Sequence, residues 1–398
     1  MTINTLKLYI EPASLPLTYQ LADYVKSIEN PEIYSIIVFQ RLKLNISGID
    51  NGRTVFIDNV NNGLELKLDK ISKFIISKSL TRLEIHTNIY RENDILFPLL
   101  QRIAPYMPLE KIQLHLYDDG VYTLQERASL GSLDEKKLAL IVQKRKEQLL
   151  AILLKKQPST GFEWNVIDNY IWHYFMDVKY YFLKPDVLLK HPNSYFQKMS
   201  RHVEAMSFTH EEYLPEHLIN IWERLFNIPP GIQIRLRELS RNNNSVLFLT
   251  GYCVDKEKIS VHHQALLEKI YQLKESSILP ASESIIYKGH PENKALNDEI
   301  AQALGENITI IPENLPVEYL YISRLLPKKI CGAFGTALFC MPDKKIKFVF
   351  MNGGPGNINN LNLLTLIRDY QCFDLEKIIY LDENNLSQTH KLSQGNIP

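Results

Sequence analysis

Short β-rich segments alternate with helix-like segments along most of the chain, and this alternation constrains the fold more than any other feature of the sequence. A first series has strand patterns at 6–11, 33–39, 81–87 and 111–117, with helix patterns at 17–28 and 92–104. Strands that alternate with helices at this spacing form βαβ units and pack into a parallel sheet. The sequence therefore predicts an α/β protein.

A second series of the same kind begins near residue 245. Its strand patterns lie at 245–251, 284–288, 308–311 and 346–350, and its helix patterns at 261–274, 292–304 and 316–325. Residues 330–339 follow a glycine-spaced strand–turn–helix pattern. Two such series predict two Rossmann-like halves that face a central cleft.

Several other segments carry weaker signals. Residues 73–76 read as extended, 133–156 as a long amphipathic helix, and 164–183 as an aromatic-rich helix or pair of helices. The aromatic rings could form a platform for a sugar, but aromatics at helical spacing more often belong to a core, which is the interpretation we favour. Residues 229–231 and 241–245 predict turns or an interdomain linker.

The balance of charge excludes some classes of protein. Lysine and arginine number 45, and so do aspartate and glutamate. A chain without a basic excess is not expected to bind nucleic acid, and one without an acidic excess is not expected to be disordered.

The cysteines and the N-terminus bear on the compartment. Cys253, Cys331, Cys340 and Cys372 form no CxxC pair, so they predict neither a zinc site nor a disulfide framework and fit a reducing environment. The first residues lack the pattern of a signal peptide, and no apolar run reaches the length of a membrane span. We expect a soluble cytoplasmic protein, and peripheral contact with the inner membrane stays open.

A histidine and an aspartate stand at the ends of two predicted strands. His290 follows Gly289 after the strand at 284–288, and Pro291 fixes the next φ angle and disfavours helix at His290. Asp119 lies in Asp-Asp-Gly after the strand at 111–117. Ligands bind at the carboxyl ends of strands in open α/β sheets, so the two residues suggest an acid and a base.

The pair Asp118–Asp119 has three interpretations. Two carboxylates could hold a divalent cation, but adjacent residues in an extended chain point to opposite faces, which disfavours one shared ion. One carboxylate suffices for a general base. The pair could also be a solvated turn, and we favour the base because of the residues that accompany it.

Two further stretches are compatible with a nucleotide site. Glu318 falls in the first turn of a predicted helix, where a carboxylate either complements the helix dipole or accepts hydrogen bonds from ribose hydroxyls. Small residues at 332–337 open a predicted helix whose backbone N–H groups could receive a phosphate.

Taken together, these motifs resemble the bacterial sialyltransferases of glycosyltransferase family 80. They occur in the same order and at similar spacing over most of the chain, and the aromatic segment at 169–183 is similar as well. The matching motifs are YIEPASLP at 9–16, LYDDG at 116–120, KGHP at 288–291, IPEN at 311–314 with Glu318, and 332–339.

The resemblance implies a GT-B fold and transfer of sialic acid from CMP-sialic acid to a galactose-type hydroxyl, with inversion. It implies no metal and no cofactor apart from the donor. Asp119 would be the general base and His290 the general acid toward the departing phosphate. The acceptor is expected to be lipooligosaccharide, capsule or another bacterial glycan.

The resemblance also assigns binding residues. Lys288 and Glu318 would hold the nucleotide, and the neighbouring motif positions would complete the donor and acceptor sites. Donor binding is thus expected at Lys288, Gly289, Pro291, Glu318, Gly335 and Thr336, and acceptor binding at Asn88, Asp119 and Asp255.

Some positions depart from the family pattern. Gly335-Thr336 stands where two serines are usual, Val121 where serine is frequent, and Asp255 where some members have tryptophan. Two alternatives therefore stay open: a transferase for another CMP-nonulosonate or CMP-Kdo, and a catalytically silent nucleotide- or glycan-binding relative.

The resemblance also suggests domain boundaries. Residues 1–243 would bind the acceptor and residues 244–368 would bind the CMP donor. Residues 369–398 would cross back onto the first domain.

Overall fold

The structure is a computed structural model of the chain. It describes residues 4–11, 13–40, 42–47, 49, 52–58, 64–154, 162–185, 194–206, 214–251, 259–279, 282–290, 294–339, 341, 343–352, 354, 358–369 and 373–381. By its contacts the chain divides into two compact units, one of residues 1–228 with 318–323 and one of residues 229–317 with 324–398.

The described strands form two sheets in which all neighbouring strands are parallel. The strands are β1 (Thr5–Glu11), β2 (Ile33–Phe39), β3 (Thr54–Asp58), β4 (Arg82–Asn88), β5 (Ile112–Tyr117), β6 (Asp177–Phe182), β7 (Val203–Ala205), β8 (Ser245–Leu249), β9 (Ser284–Lys288), β10 (Ile308–Ile310), β11 (Lys329–Ala333), β12 (Ile346–Asn352) and β13 (Ile378–Leu381).

Helices connect most of these strands, as parallel pairing requires. The α-helices of the described residues are α1 (Ser14–Ser27), α2 (Leu64–Ser77), α3 (Phe97–Ile103), α4 (Val121–Gly131), α5 (Glu135–Leu153), α6 (Ser194–Met199), α7 (Glu216–Phe226), α8 (Pro230–Arg241), α9 (Ile259–Glu275), α10 (Lys294–Leu304), α11 (Glu318–Ile322), α12 (Thr336–Phe339) and α13 (Ile358–Asp369).

The strand orders place one switch point in each sheet. The first sheet runs β3-β2-β1-β4-β5-β6-β7 and the second runs β10-β9-β8-β11-β12-β13. Both follow the Rossmann pattern, in which the order reverses beside the first strand of the series. The crevices for ligands are therefore expected at the carboxyl ends of β1 and β4 and of β8 and β11. The prediction of two parallel-sheet α/β units is confirmed.

The two faces of the first sheet differ in polarity. Successive side chains of a strand point to opposite faces, so alternate residues share one face. One face carries aliphatic and aromatic residues of the core, such as Leu8, Ile85 and Leu114, with Tyr180 and Phe182 from β6. The other face carries mainly polar and ring side chains: Lys7, Tyr9, Glu84, His86, Gln113, His115, Tyr117 and Tyr181.

Two element predictions were wrong. Residues 73–76 lie in helix α2, not in a strand, because the buried Leu68, Ile71 and Ile75 repeat at helical spacing and Ile76 is exposed. The aromatic segment is not a helix pair; it forms two short 3₁₀ turns followed by β6. Several of its rings are nevertheless in the core, as we favoured, with Trp172, Tyr180 and Phe182 fully buried, whereas Tyr174 is 40% exposed.

By contacts, the first continuous stretch of the first unit ends at residue 228. Pro230 begins helix α8, where proline's missing N–H costs nothing, and α8 groups with the second unit. At the C-terminus β13 pairs with β12 in the second sheet. Residues 382–398 lie outside the described residues. No helix of the described residues is long and apolar enough to cross a membrane.

Candidate active site

Asp118 is a structural residue, although it stands beside the predicted base. Its Oδ1 accepts from Arg127 Nη1 at 2.6 Å and its Oδ2 accepts from the Leu183 N–H at 2.7 Å. Arg127 also donates to the Leu183 carbonyl at 2.7 Å, and the side chains of Asp118 and Arg127 are fully buried. Both carboxylate oxygens of Asp118 are therefore engaged in joining α4 to the end of β6.

Asp119, the next residue, is exposed and follows the carboxyl end of β5. Gly120 then turns the chain with φ +127°, a conformation that favours glycine, and α4 begins at Val121. The Thr123 hydroxyl donates to the Gly120 carbonyl at 2.6 Å and fixes this turn. The structure thus presents one of the two aspartates to solvent and buries the other.

Glu11 and Asn88 are the last residues of β1 and β4, the two strands at the switch point of the first sheet. Asn88 is fully buried, its Oδ1 accepts from the Tyr90 N–H at 2.8 Å, and its Nδ2 has no hydrogen-bond partner among the described residues. Glu11 is 1% exposed. Burial raises the pKa of Glu11 well above its ordinary value, and the negative charge of Asp119 adds to the rise.

A buried polar cluster lies further down the same face of the sheet. Asp23 of α1 accepts from Lys7 Nζ at 2.8 Å and from the Tyr9 hydroxyl at 2.7 Å. Burial opposes ionisation of Asp23, but His86, Lys7 and Tyr9 together lower its pKa below the ordinary value. These contacts fasten α1 to the polar face of the sheet.

Two histidines in this cluster stack on each other. The rings of His86 and His115 are 4.1 Å apart with an interplanar angle of 7°. Nδ1 of His86 lies 2.8 Å from the Tyr117 hydroxyl, and Nδ1 of His115 lies 3.1 Å from the Tyr181 hydroxyl. Burial lowers the pKa of both histidines.

These histidines and Glu84 are the one group of potential metal ligands among the described residues, with ligand atoms within 4.8 Å of one another. The geometry disfavours coordination, because the lone pairs of parallel rings do not converge on one point. The Lys7 ammonium, 3.5 Å from Glu84 Oε2, also supplies positive charge already. We therefore assign the cluster to packing rather than to a metal.

The second sheet presents Lys288, Gly289 and His290 at the carboxyl end of β9. Lys288 is largely buried, and its Nζ donates to the carbonyls of Gly289 at 2.7 Å and Glu313 at 2.8 Å. His290 is half-buried, and its N–H donates to Thr250 Oγ1 at 3.1 Å. Pro291 and Asp255 lie outside the described residues.

Asn297, a buried residue of α10, holds this loop in place. Its Nδ2 donates to the His290 carbonyl at 2.8 Å and to Glu313 Oε1 at 2.9 Å, and its Oδ1 accepts from the Tyr287 hydroxyl at 3.3 Å. A Cβ on Gly289 would lie 2.3 Å from Asn297 Cγ, so this position requires glycine. The sequence analysis missed Asn297, although a polar side chain on the inner face of an amphipathic helix was a possible signal.

The switch point of the second sheet brings two backbones close together. Gly332 of β11 has φ +136°, and a Cβ there would lie 1.9 Å from the Leu249 carbonyl oxygen. Three residues later Gly335 has open space where a Cβ would stand. Thr336, half-buried, is the first residue of the short helix α12.

Glu318, predicted at a helix start, is the first residue of α11 and is 5% exposed. By its contacts this helix groups with the first unit. The Tyr319 ring stacks on Trp222 of α7 at 6.1 Å, and Trp222 Nε1 donates to the Ser323 hydroxyl at 3.1 Å. Packing against α7 therefore fixes the start of α11.

Within each unit the structure brings several predicted residues together. The first has Asn88 and Asp119 at one sheet edge, and the second has Lys288, Gly289 and His290 in one loop. A model of the family described as sialyltransferase PMO188 matches residues 6–360. The chain belongs to this sialyltransferase family.

Solved structures of sialyltransferases share the fold of this enzyme. The α-2,3-sialyltransferase of Photobacterium phosphoreum aligns with a TM-score of 0.74 and 17% identity, covering 95% of this chain and 98% of its own. The GT-B domain of the Photobacterium damselae sialyltransferase aligns with a TM-score of 0.77 and 20% identity, covering 94% and 99%.

A third structure is the 2,6-sialyltransferase of Photobacterium sp. JT-ISH-224 in a ternary complex with CMP and lactose. It aligns with a TM-score of 0.78 and 19% identity, covering 95% of this chain and 78% of its own. A comparison with curated proteins found no match. The predictions of a GT-B fold and of a sialyltransferase are thus confirmed.

Proposed function

We propose that this sialyltransferase moves sialic acid from CMP-sialic acid to a galactose-type hydroxyl, with inversion and without a metal. The observation that carries the proposal is the contrast between the two aspartates. Asp118 is buried and fully bonded, and Asp119 is exposed at the carboxyl edge of the first sheet. The CMP and lactose named for one of the similar structures support the choice of donor and acceptor class.

In this mechanism Asp119 takes the proton of the acceptor hydroxyl as that oxygen attacks the anomeric carbon. His290 gives a proton to the phosphate oxygen of CMP as the bond to the sugar breaks. The anomeric carbon is tertiary, so a transition state with oxocarbenium character is reached readily once the phosphate departs. Acid–base help of this kind is typically worth about a hundredfold to ten-thousandfold in rate.

The loop around His290 supports the role of an acid held in place. The backbone of His290 is bonded on one side to Thr250 and on the other to Asn297. A catalytic group held by such contacts needs little reorganisation when the substrate binds. Lys288 and Glu318 would bind the nucleotide, Glu318 through the ribose hydroxyls, with Gly335 and Thr336 near the phosphate.

Acceptor binding is proposed at the first sheet. Asn88 has a buried amide nitrogen that can donate a hydrogen bond to a sugar hydroxyl. An unsatisfied buried donor is costly, so a ligand that accepts from it gains affinity. A bacterial surface glycan would carry the acceptor galactose, and contact with the membrane surface would be peripheral.

His290→Ala tests the proposal directly. We expect loss of sialyl transfer with retention of CMP binding, because the acid is removed and the nucleotide contacts remain. The matched control is His217→Ala, at a histidine whose side chain is 63% exposed, which should leave both properties unchanged. Normal transfer by His290→Ala would remove His290 from the mechanism.

One observation favours testing a second donor. Gly335 has open space where a Cβ would stand, and Gly335-Thr336 replaces the serine pair usual in the resembling family. A site with one hydroxyl fewer could serve another CMP-nonulosonate or CMP-Kdo. CMP binding without release from CMP-N-acetylneuraminate, followed by release from one of these donors, would select that alternative.

A further inference from the structure

Glu11 stands at the point where a parallel sheet of this order binds ligands. It is the last residue of β1, and β1 lies next to β4 in the sheet. Ile10 pairs with Thr87 in the register, so Glu11 and Asn88 follow side by side at the switch point. Glu11 therefore lies at the strand ends where the acceptor is proposed to bind.

Among the described residues, no cation donates a hydrogen bond to Glu11. Its Oε1 accepts from the Ala13 N–H at 2.8 Å, and Gln20 Nε2 of α1 lies 3.5 Å from its Oε2. Both donors are neutral, and so is the Asn88 side chain, which also acts on Glu11 and lowers its pKa. The carboxyl group is 1% exposed. An ionised carboxylate in such a place is costly, because neutral donors compensate only part of the lost hydration.

Among the described residues, two charged groups on neighbouring elements act on Glu11. Asp119, after β5, disfavours ionisation of Glu11, and Arg91, after β4, favours it. Arg91 is itself paired with Asp94, its Nη1 lying 2.8 Å from Asp94 Oδ2. The net result, with burial as the largest cause, is a pKa of Glu11 well above the ordinary value.

We propose that Glu11 is a positioning residue that stays protonated in the working enzyme, so that the single negative charge of the Glu11–Asp119 pair resides on Asp119. This inference rests on the proposed role of Asp119 as the base. When two carboxyl groups interact and one is more deeply buried, the buried group is the one that stays protonated. Burial of Glu11 at the switch point thus makes Glu11 the protonated group and leaves Asp119 as the charged base.

The proposal has a defined consequence for proton transfer. The acceptor proton goes to Asp119, and the proton of Glu11 stays where it is throughout the reaction. Ionisation of Glu11 at high pH would place a second negative charge beside Asp119 and raise the pKa of the base. Replacement of Glu11 by the neutral glutamine should therefore mimic its active form.

The test is the pH–rate profile of Glu11→Gln against that of the wild type, from transfer assays with CMP-N-acetylneuraminate and lactose. We expect the acid limb of the profile, which reports Asp119, to stay in place. If Glu11 were ionised, its removal would lower the pKa of Asp119. A shift of the acid limb to lower pH by about half a unit or more would overturn the proposal.

Two measurements do not depend on activity. In the infrared difference spectrum at neutral pH, the wild type should show the carbonyl band of a protonated carboxyl that Glu11→Gln lacks. A difference in carboxylate bands instead would overturn the proposal. If Glu11→Gln does not fold, Glu11→Asp should shift the same band. An unshifted band would show that it does not come from Glu11 and would overturn the proposal.

The third readout is stability against pH. A carboxyl with a raised pKa in the folded state binds more protons there than in the unfolded chain, so its contribution is present at low pH and lost as pH rises. Glu11→Gln should therefore gain stability over the wild type from acidic to neutral pH. Glu32→Gln, at an exposed glutamate, should show a constant difference. Should transfer be absent while these readouts hold, the proposed function fails and the state of Glu11 stands.

Discussion

Asp118 and Arg127 form an ion pair in which Nη1 and Oδ1 are 2.6 Å apart and both side chains are fully buried. Arg127 Cζ lies 4.3 Å from the centroid of the Phe182 ring, and Asp118 and Arg127 each form a hydrogen bond with the backbone of Leu183. The pair joins β5, α4 and the end of β6 directly beneath the exposed Asp119. Mutation of Asp118 should therefore affect stability, and mutation of Asp119 should affect activity.

Asp118→Asn should lower the free energy of unfolding by about 3–5 kcal/mol, because it leaves the Arg127 charge buried without its partner. Urea denaturation measures the loss. The control is Asp94→Asn, which breaks an exposed pair with Arg91 and should cost at most about 1 kcal/mol. Equal losses in the two variants would show that burial does not determine the strength of the Asp118 pair.

Asp119→Asn should lower the transfer rate by about a hundredfold to ten-thousandfold, because it removes the proposed base. The side chain is exposed, so the free energy of unfolding should change by no more than about 0.5 kcal/mol. Steady-state kinetics and urea denaturation check the two parts. Full activity in a folded Asp119→Asn enzyme would remove Asp119 from the mechanism.

Gly289→Ala and Asn297→Ala should both release the loop that carries His290. The first forces the Asn297 side chain out of its place, and the second removes its bonds to the His290 carbonyl and Glu313. We expect a fall in kcat of about tenfold to a hundredfold in each, since small displacements of a catalytic group have effects of this size. Their double mutant should be no worse than either alone; additive losses would separate the two residues.

Gly332→Ala should destabilise the protein by at least about 3 kcal/mol, because alanine is strained at φ +136° and its Cβ would overlap the Leu249 carbonyl. Gly231→Ala provides the control, since nothing lies within 4 Å of a Cβ at that helical position. It should change stability by no more than about 1 kcal/mol. Thermal denaturation of the two variants measures the difference, and similar melting temperatures would contradict the close approach of β8 and β11.

The stacked histidines predict that acid lowers stability. Both have a lowered pKa in the folded state, so below the unfolded value of about 6.5 the unfolded chain binds more protons. Each contributes a loss of up to about 1.4 kcal/mol per pH unit as pH falls. His115→Gln should show a shallower loss than the wild type in urea denaturation between about pH 7.5 and pH 5. An unchanged slope would exclude His115 as a cause.

The alternation of strands and helices was predictable wherever the apolar residues followed a single spacing, either that of a strand or that of a helix. β1, β5 and β9 follow from β-rich runs, and α5 and α9 follow from a long apolar stripe. Prediction failed where two periods competed. Phe74-Ile75-Ile76 is β-rich as a run, but burial of every third or fourth residue makes it part of α2.

The positions of the candidate site residues were predictable from the sequence, but the contacts that hold them in place were not. Asp119 and His290 could be located because they follow strands, and strand ends collect functional groups. The engagement of Asp118 by Arg127 and Leu183 depends on a contact across 65 residues, which no local pattern encodes. Asn297 reaches His290 only because α10 packs beside β9, so its role required the folded structure.

The most direct test of the account is formation of sialyl-lactose from CMP-N-acetylneuraminate and lactose by the wild-type enzyme in the presence of EDTA. The account predicts product and lactose-dependent release of CMP that EDTA does not reduce. Release that requires added divalent metal would contradict the assignment of Asp119 and His290 as base and acid.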